Sequence, residues 1–325
     1  KGQPASLASV AAGRPHAVFL DLPSGVGEGT PAEQFRVAVW QKPWRSQILF
    51  VSPETTGFVT RGAVLRPAML GRLLEPLAGG VEGRIARAQT ILVELFDAEV
   101  ASVSMLQLLN GANAAAVRSV SGDWEVLQFQ YAEEIVPQHW RLSGLLRGQL
   151  GTSDAMAAGS SADTDFVVLD DGVVPAGLSP GEVGLELNWR VGPSGSDVSS
   201  SQFLTSQQIG GLRAQLPLCP VHLRLRPSAG DLLLSWVRRG RVNSDSWEAA
   251  EIPLGEDHEE YRLEIAGPGG PVVRTMTVGQ PQWLYPAAEL ASDFTVIPSA
   301  LDITVRQLSS AVGWGIAASA RLALI

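Results

Sequence analysis

The chain is nearly empty of cysteine, histidine and lysine, and each shortage removes a class of function. One cysteine in 325 residues, Cys219, leaves no internal disulfide and no CxxC metal site. It lies in the apolar run 216–221 and reads as a small buried thiol. The four histidines, His16, His139, His222 and His258, are too scattered to make HxH, HxxH or HExxH. Lysine occurs only at Lys1 and Lys42, the net charge is −9, and the one basic cluster is Arg238, Arg239 and Arg241. Direct nucleic-acid binding is therefore not expected, because its sequence-independent part comes from clustered cations on phosphates. No run approaches the roughly 18 apolar residues of a transmembrane helix. GxSxG, GxxxxGK[ST] and a GxGxxG following a strand are missing as well. No catalytic residue, cofactor-binding residue or metal ligand set is predicted, and the chain is not expected to be an enzyme.

Two acidic clusters invite a cation reading. Glu256, Asp257, Glu259 and Glu260 surround His258, and Asp163 and Asp165 precede Asp170 and Asp171. Hard cations prefer such oxygen ligands. Neither cluster has the alternating acids and closing Glu of an EF-hand, so solvated loops and strand ends are expected.

What the chain has in quantity is turn residues, with 34 Gly and 21 Pro among 45% hydrophobic residues. That mixture predicts a mainly β protein of short strands joined by tight turns. Its length predicts two to three β-sandwich or β-barrel-like domains, at 1–116, 117–216 and 217–325. The chain opens Lys-Gly-Gln-Pro, with no Met and no signal pattern, which suggests that the true N-terminus lies elsewhere.

Strand-like runs in the first part are 16–22, the strictly alternating 34–40, the continuous apolar 47–51, expected to be buried on both faces, and 90–96. Between them Leu70, Leu73, Leu74 and Leu77 are spaced for a short helix or irregular turn, stopped by Pro76, Gly79 and Gly80. Residues 103–109 satisfy both periods. Further on, 155–163 reads as a surface loop and 165–170 as a strand. That strand closes on a turn in which Asp170 bonds its own backbone and Gly172 takes positive φ. Residues 183–191 form another strand, and 192–201 is the most linker-like stretch.

The last part reads as a fibronectin type III-like sandwich: about a hundred residues with about seven short strands. Trp236, in the run 231–237, is its expected core anchor. Trp40 and Trp44 flank Lys42-Pro43 in an expected loop or strand edge. They are candidate interface residues, with packing over a sandwich end and stacking on a sugar as alternatives.

The most distinctive wording lies in 111–152: GANAA, the strand WEVLQF beginning at Trp124, and RLSGLLRGQLGT ending at Thr152. These phrases resemble the tail-tip or baseplate-hub proteins of tailed phages and of gene transfer agents, and the closing segment is similar to that family's C-terminal module. The resemblance implies a structural subunit of a phage-like tail, assembled in the bacterial cytoplasm, that connects the tube end to host-contacting parts and supports DNA delivery. It implies a threefold assembly with other tail proteins, and contact with a host surface glycan or receptor. The family's proteins are much larger, which places their tube-clamping domains before Lys1. The alternative is a secreted glycan-binding or adhesive β-protein with a fibronectin-type accessory module, which gives no reason for the phrases in 111–152.

Overall fold

The computed structural model describes residues 13–26, 29–241 and 252–324, which divide into two compact units at Ala214/Gln215. The first unit contains β1 (His16–Asp21), β2 (Phe35–Trp40), β3 (Gln47–Ser52), β4 (Val59–Val64), β5 (Leu70–Leu73) and β6 (Ala86–Leu95). These are followed by α1 (Met105–Leu109), β7 (Ala114–Arg118), β8 (Trp124–Val136), β9 (His139–Gln149), α2 (Ser153–Ala158) and β10 (Asp165–Val168). The unit ends with β11 (Val173–Pro175), β12 (Glu186–Pro193) and β13 (Leu204–Ile209).

Six of these strands close an antiparallel barrel in the order β10-β5-β6-β9-β8-β7. Leu73, Val93, Val117, Leu127, Phe129 and Phe166 fill its interior. Beside it stand a three-stranded sheet, β1-β2-β11, and a four-stranded sheet, β13-β12-β3-β4. The three-stranded sheet is the middle layer. Val18, Leu20 and Ala38 pack towards the barrel with Leu70, Trp124 and Val126. Phe19, Phe35 and Val37 pack the other way, onto Leu49, Val51 and Trp189. A strand covered on both faces has no polar side to show, which explains the unbroken apolar run in β1. Each such side chain contributes about 1.5–3 kcal/mol of burial.

The boundary expected at 116/117 does not exist. It falls inside β7, whose backbone is paired on both sides within the barrel, so the first two predicted domains are one unit. The helix or turn expected from Leu70, Leu73 and Leu77 is instead the short closing strand β5 followed by an isolated bridge from Leu77 to Ser160. Closure of the barrel outweighs the local spacing. The surface loop expected at 155–163 contains most of α2, with Ala155 and Met156 buried. The linker-like 192–201 begins inside β12, where Gly192 pairs with Ile48, and continues as the β12–β13 connection. Gly192 is there because a Cβ would meet the Phe203 ring at 2.6 Å. Of the run 47–51, Leu49 and Val51 are buried while Ile48 and Phe50 are half-buried, so only one face is sealed. The Asp170 turn forms, with the Gly172 amide donating to Asp170 Oδ1 at 2.9 Å. Gly172 does not take positive φ; a Cβ there would lie 2.6 Å from the Pro67 carbonyl.

The second unit contains β14 (Val221–Ser228), β15 (Asp231–Val237), β16 (Tyr261–Ala266), β17 (Val272–Val278), β18 (Gln282–Tyr285), α3 (Ala287–Asp293), β19 (Ala300–Ser309), β20 (Gly313–Trp314) and β21 (Ala318–Ala323). One sheet runs β14-β15-β18; the other runs β17-β16-β19, with β20 and β21 both on β19. This three-against-four order, with β20 and β21 as two halves of one broken strand, is that of a fibronectin type III-like sandwich. Trp236 is 4% exposed, stands edge-on to Tyr261 at 5.2 Å and packs with Leu263, Ile303 and Val305. Cys219 is buried as expected, and its sulfur accepts from the Arg239 guanidinium at 3.7 Å.

Candidate functional site

Trp40 and Trp44 are brought together as two walls of one cleft of about 280 Å³, with Met69 and Phe96 also lining it. Trp40 is half-buried against Phe96, with ring centroids 5.3 Å apart, in the core between the middle sheet and the barrel. Trp44 is half-buried against the core on the other side of that sheet. Each indole is thus partly a packing residue, and its remaining surface forms the cleft. The loop between them is fixed by Gln47, which donates to Gln41 Oε1 at 2.8 Å, while Gln41 donates to the Gly13 carbonyl at 2.6 Å. At the rim Lys42 Nζ lies 2.8 Å from Asp97, which also accepts from Gln138 at 2.9 Å. The Lys42 hydrogen bond comes first among the causes that hold the Asp97 carboxyl below its usual range. An apolar floor with a fixed ion pair at its edge suits an apolar ring or side chain that carries polar groups on one side.

Most acids of the two clusters already have polar partners. Glu256 pairs with Arg241, Glu259 with Arg238, and Glu260 with His258 at 3.1 Å. Asp165 contacts His16 at 3.1 Å, and Asp170 caps the Gly172 amide. Among the described residues no group of three or more His, Cys, Asp or Glu is placed to hold a metal ion, and no helix is long and apolar enough to cross a membrane.

A second feature was not legible as a site. Of residues 103–109, ambiguous by period, Met105–Leu109 form α1, with a capping box at Ser104. Ser104 Oγ accepts from the Gln107 amide, and the Gln107 side chain accepts from Ser104 N at 2.9 Å. The S-x-x-Q spacing was the available signal. Gln128 on β8, itself buried, donates to the Leu108 carbonyl at 2.7 Å and the Ala112 carbonyl at 2.9 Å. Only Leu108 of α1 is buried; Leu106 and Leu109 are 70% and 64% exposed.

Beside α1 the side-chain pattern of the barrel wall changes. Phe129 and Ala132 of β8 both pack on the barrel core, as do Leu142 and Leu145 of β9, so the inward alternation slips at the same level on both strands. The four residues between, Gln130, Tyr131, Ser143 and Gly144, line an outward groove of about 430 Å³. Gly144 sits at φ +65°, and a Cβ there would meet Gln130 Cβ at 2.9 Å. Ile85, Arg87 and Met105 complete the groove.

Against known families, residues 68–167 match the family described as Rcc01698-like, C-terminal. This match coincides with the barrel, which runs from Leu70 in β5 to Val168 in β10. No curated protein matches. Similar solved structures include the FN1–FN3 domains of chicken CNTN1, at 13% identity and TM-score 0.24, covering 78% of this chain and 67% of that one. A cytokine receptor complex matches at 14% identity and TM-score 0.25, covering 72% and 91%. A β-1,2-glucanase from Parabacteroides distasonis matches at 10% identity and TM-score 0.21, covering 80% and 28%. At these scores the overlays carry no argument, and the fold assignment rests on the sheet order.

Proposed function

We propose that this chain is a structural, non-enzymatic subunit of a phage-like tail tip or baseplate, present in several copies and joining the tube end to host-contacting parts. The observation that carries the reading is an overlap of three features. The phrases in 111–152 that resemble tail-tip proteins, the match over 68–167 and the closed barrel fall on the same stretch. The fabric of the chain supports it: a filled barrel, two sheets packed on it in layers, and a fibronectin type III-like sandwich, all suited to presenting rigid surfaces. Threefold copy number and assembly in the bacterial cytoplasm follow from the resemblance alone.

The test is deletion of the gene in a strain that makes such particles. The reading expects heads that still fill and particles that no longer deliver DNA. Full delivery without the chain contradicts it. The non-enzymatic part has its own check: hydrolysis of peptidoglycan or capsular glycan by the purified chain, lost on one carboxylate substitution, overturns it.

The Trp40/Trp44 cleft gives the adhesive reading a place on the molecule. Glycan-array binding that is lost in Trp44→Ala, from a chain absent from particles, would favour that alternative.

A further inference from the structure

We propose that the α1 face of the barrel is where a second copy of this chain docks, with Leu106 and Leu109 of one copy entering the groove between Arg87 and Tyr131 of the next. The inference rests on the reading that the chain works in several copies, and it adds the surface that holds them together.

Two leucines on a five-residue helix, 70% and 64% exposed, gain nothing for the isolated chain. A small helix that exists only to cover Leu108 would tolerate polar residues at both positions. Instead the sequence holds the helix rigidly, by the Ser104–Gln107 box and by the two bonds from Gln128. Rigid apolar knobs beside a preformed groove are the arrangement of an interface hot spot.

The occupant is a second copy because knob and groove lie side by side on one face, joined through Met105, which belongs to α1 and lines the groove. A closed symmetric interface needs one face that carries both parts, which this face does. The charges agree. The only charged residue lining the groove is Arg87, and neither it nor neighbouring Arg84 has an ion pair among the described residues. Past Gln130 and Tyr131, which line the groove, β8 runs on to Glu133 and Glu134. Glu133 is matched by Arg141 at 3.0 Å, whereas among the described residues Glu134 meets only the Gln138 amide, at 2.9 Å. Docking in the proposed manner would set the Glu134 carboxylate of one copy against Arg87 of the next, a pairing that would fix register and discourage other partners.

The experiment is sedimentation velocity of the 325-residue protein over a wide concentration series. The variants are Leu106→Asp with Leu109→Asp, then Arg87→Glu, and Val296→Asp in an exposed loop of the second unit as control. The wild type is expected to associate reversibly, the double leucine variant and Arg87→Glu to weaken association by about tenfold or more, and Val296→Asp to match the wild type. Because both leucines lie outside the core, the circular dichroism of the variant should equal that of the wild type. Association undiminished in the folded leucine variant overturns this surface and leaves the multi-copy reading standing. A wild type that stays monomeric at every concentration overturns the proposal too, and copy number in whole particles then decides the multi-copy reading separately.

Discussion

Arg147 lays its guanidinium flat against the Glu125 carboxylate, Nε to Oε1 at 2.5 Å and Nη2 to Oε2 at 2.8 Å, with both side chains fully buried. By alternation the pair continues the inward rows of Leu127 and Leu145, so it closes one end of the barrel core. Arg147 also donates to Gln89 at 3.0 Å and to the Ala78 carbonyl, while Glu125 accepts from the Gly148 amide at 3.1 Å. The acid of WEVLQF and the second arginine of RLSGLLRGQLGT are therefore partners. Arg147→Met should cost about 3–5 kcal/mol, because it strands a buried carboxylate. Glu125→Leu combined with Arg147→Met should cost less than the single change. Urea unfolding of the three proteins checks this, and a single variant within 1 kcal/mol of wild type would contradict it.

Trp236→Ala should cost the second unit about 3–5 kcal/mol as a large-to-small change in a packed core. The local reading is amide exchange in β16 and β19, whose strands carry Leu263 and Val305 against the indole. Exchange unchanged there would mean that the ring is not the anchor its burial indicates.

Gly172→Ala should destabilise the first unit by about 1–3 kcal/mol through overpacking, since its Cβ would press on the Pro67 carbonyl and on Ala68. A gain in melting temperature would show that the turn can move away.

Acid should loosen the second unit through Asp302. The Arg321 fork, at 2.7 and 2.8 Å, and the Gly269 amide hold its carboxyl down to about 2 from an ordinary 3.8. A depressed carboxyl contributes stability that is complete above the unfolded value and disappears as pH falls through the folded one. The window is thus 3.8 down to about 2. Asp302→Asn should flatten the loss of stability across that window, read as the shift in urea midpoint between its two ends. An equal shift in both proteins would assign the acid sensitivity elsewhere. Asp293, held low chiefly by Arg274 with help from Tyr285, adds the same sign.

The second unit was legible because its strands pair mostly with near neighbours in sequence and alternate cleanly, as at Tyr261–Ala266. The first unit was not. β3 pairs with β12, about 140 positions on, and β5 pairs with the distant β10 to close the barrel. Local periodicity carries no trace of such partners, so Leu70 and Leu73 looked helical while serving as a strand. Of the candidate site, Trp40 and Trp44 were visible as aromatics around a proline. Their shared cleft depends on Met69 and Phe96, which come from later strand ends and loops. The α1 leucines carried a capping signal, but nothing local says that they face outward.

The most direct test of the tail-tip reading is electron microscopy of whole particles bearing a tag fused after Ile325. The account predicts label in several copies at the end of the tail distal to the head. Label on the head, one copy per particle, or particles that lack the chain altogether would contradict it.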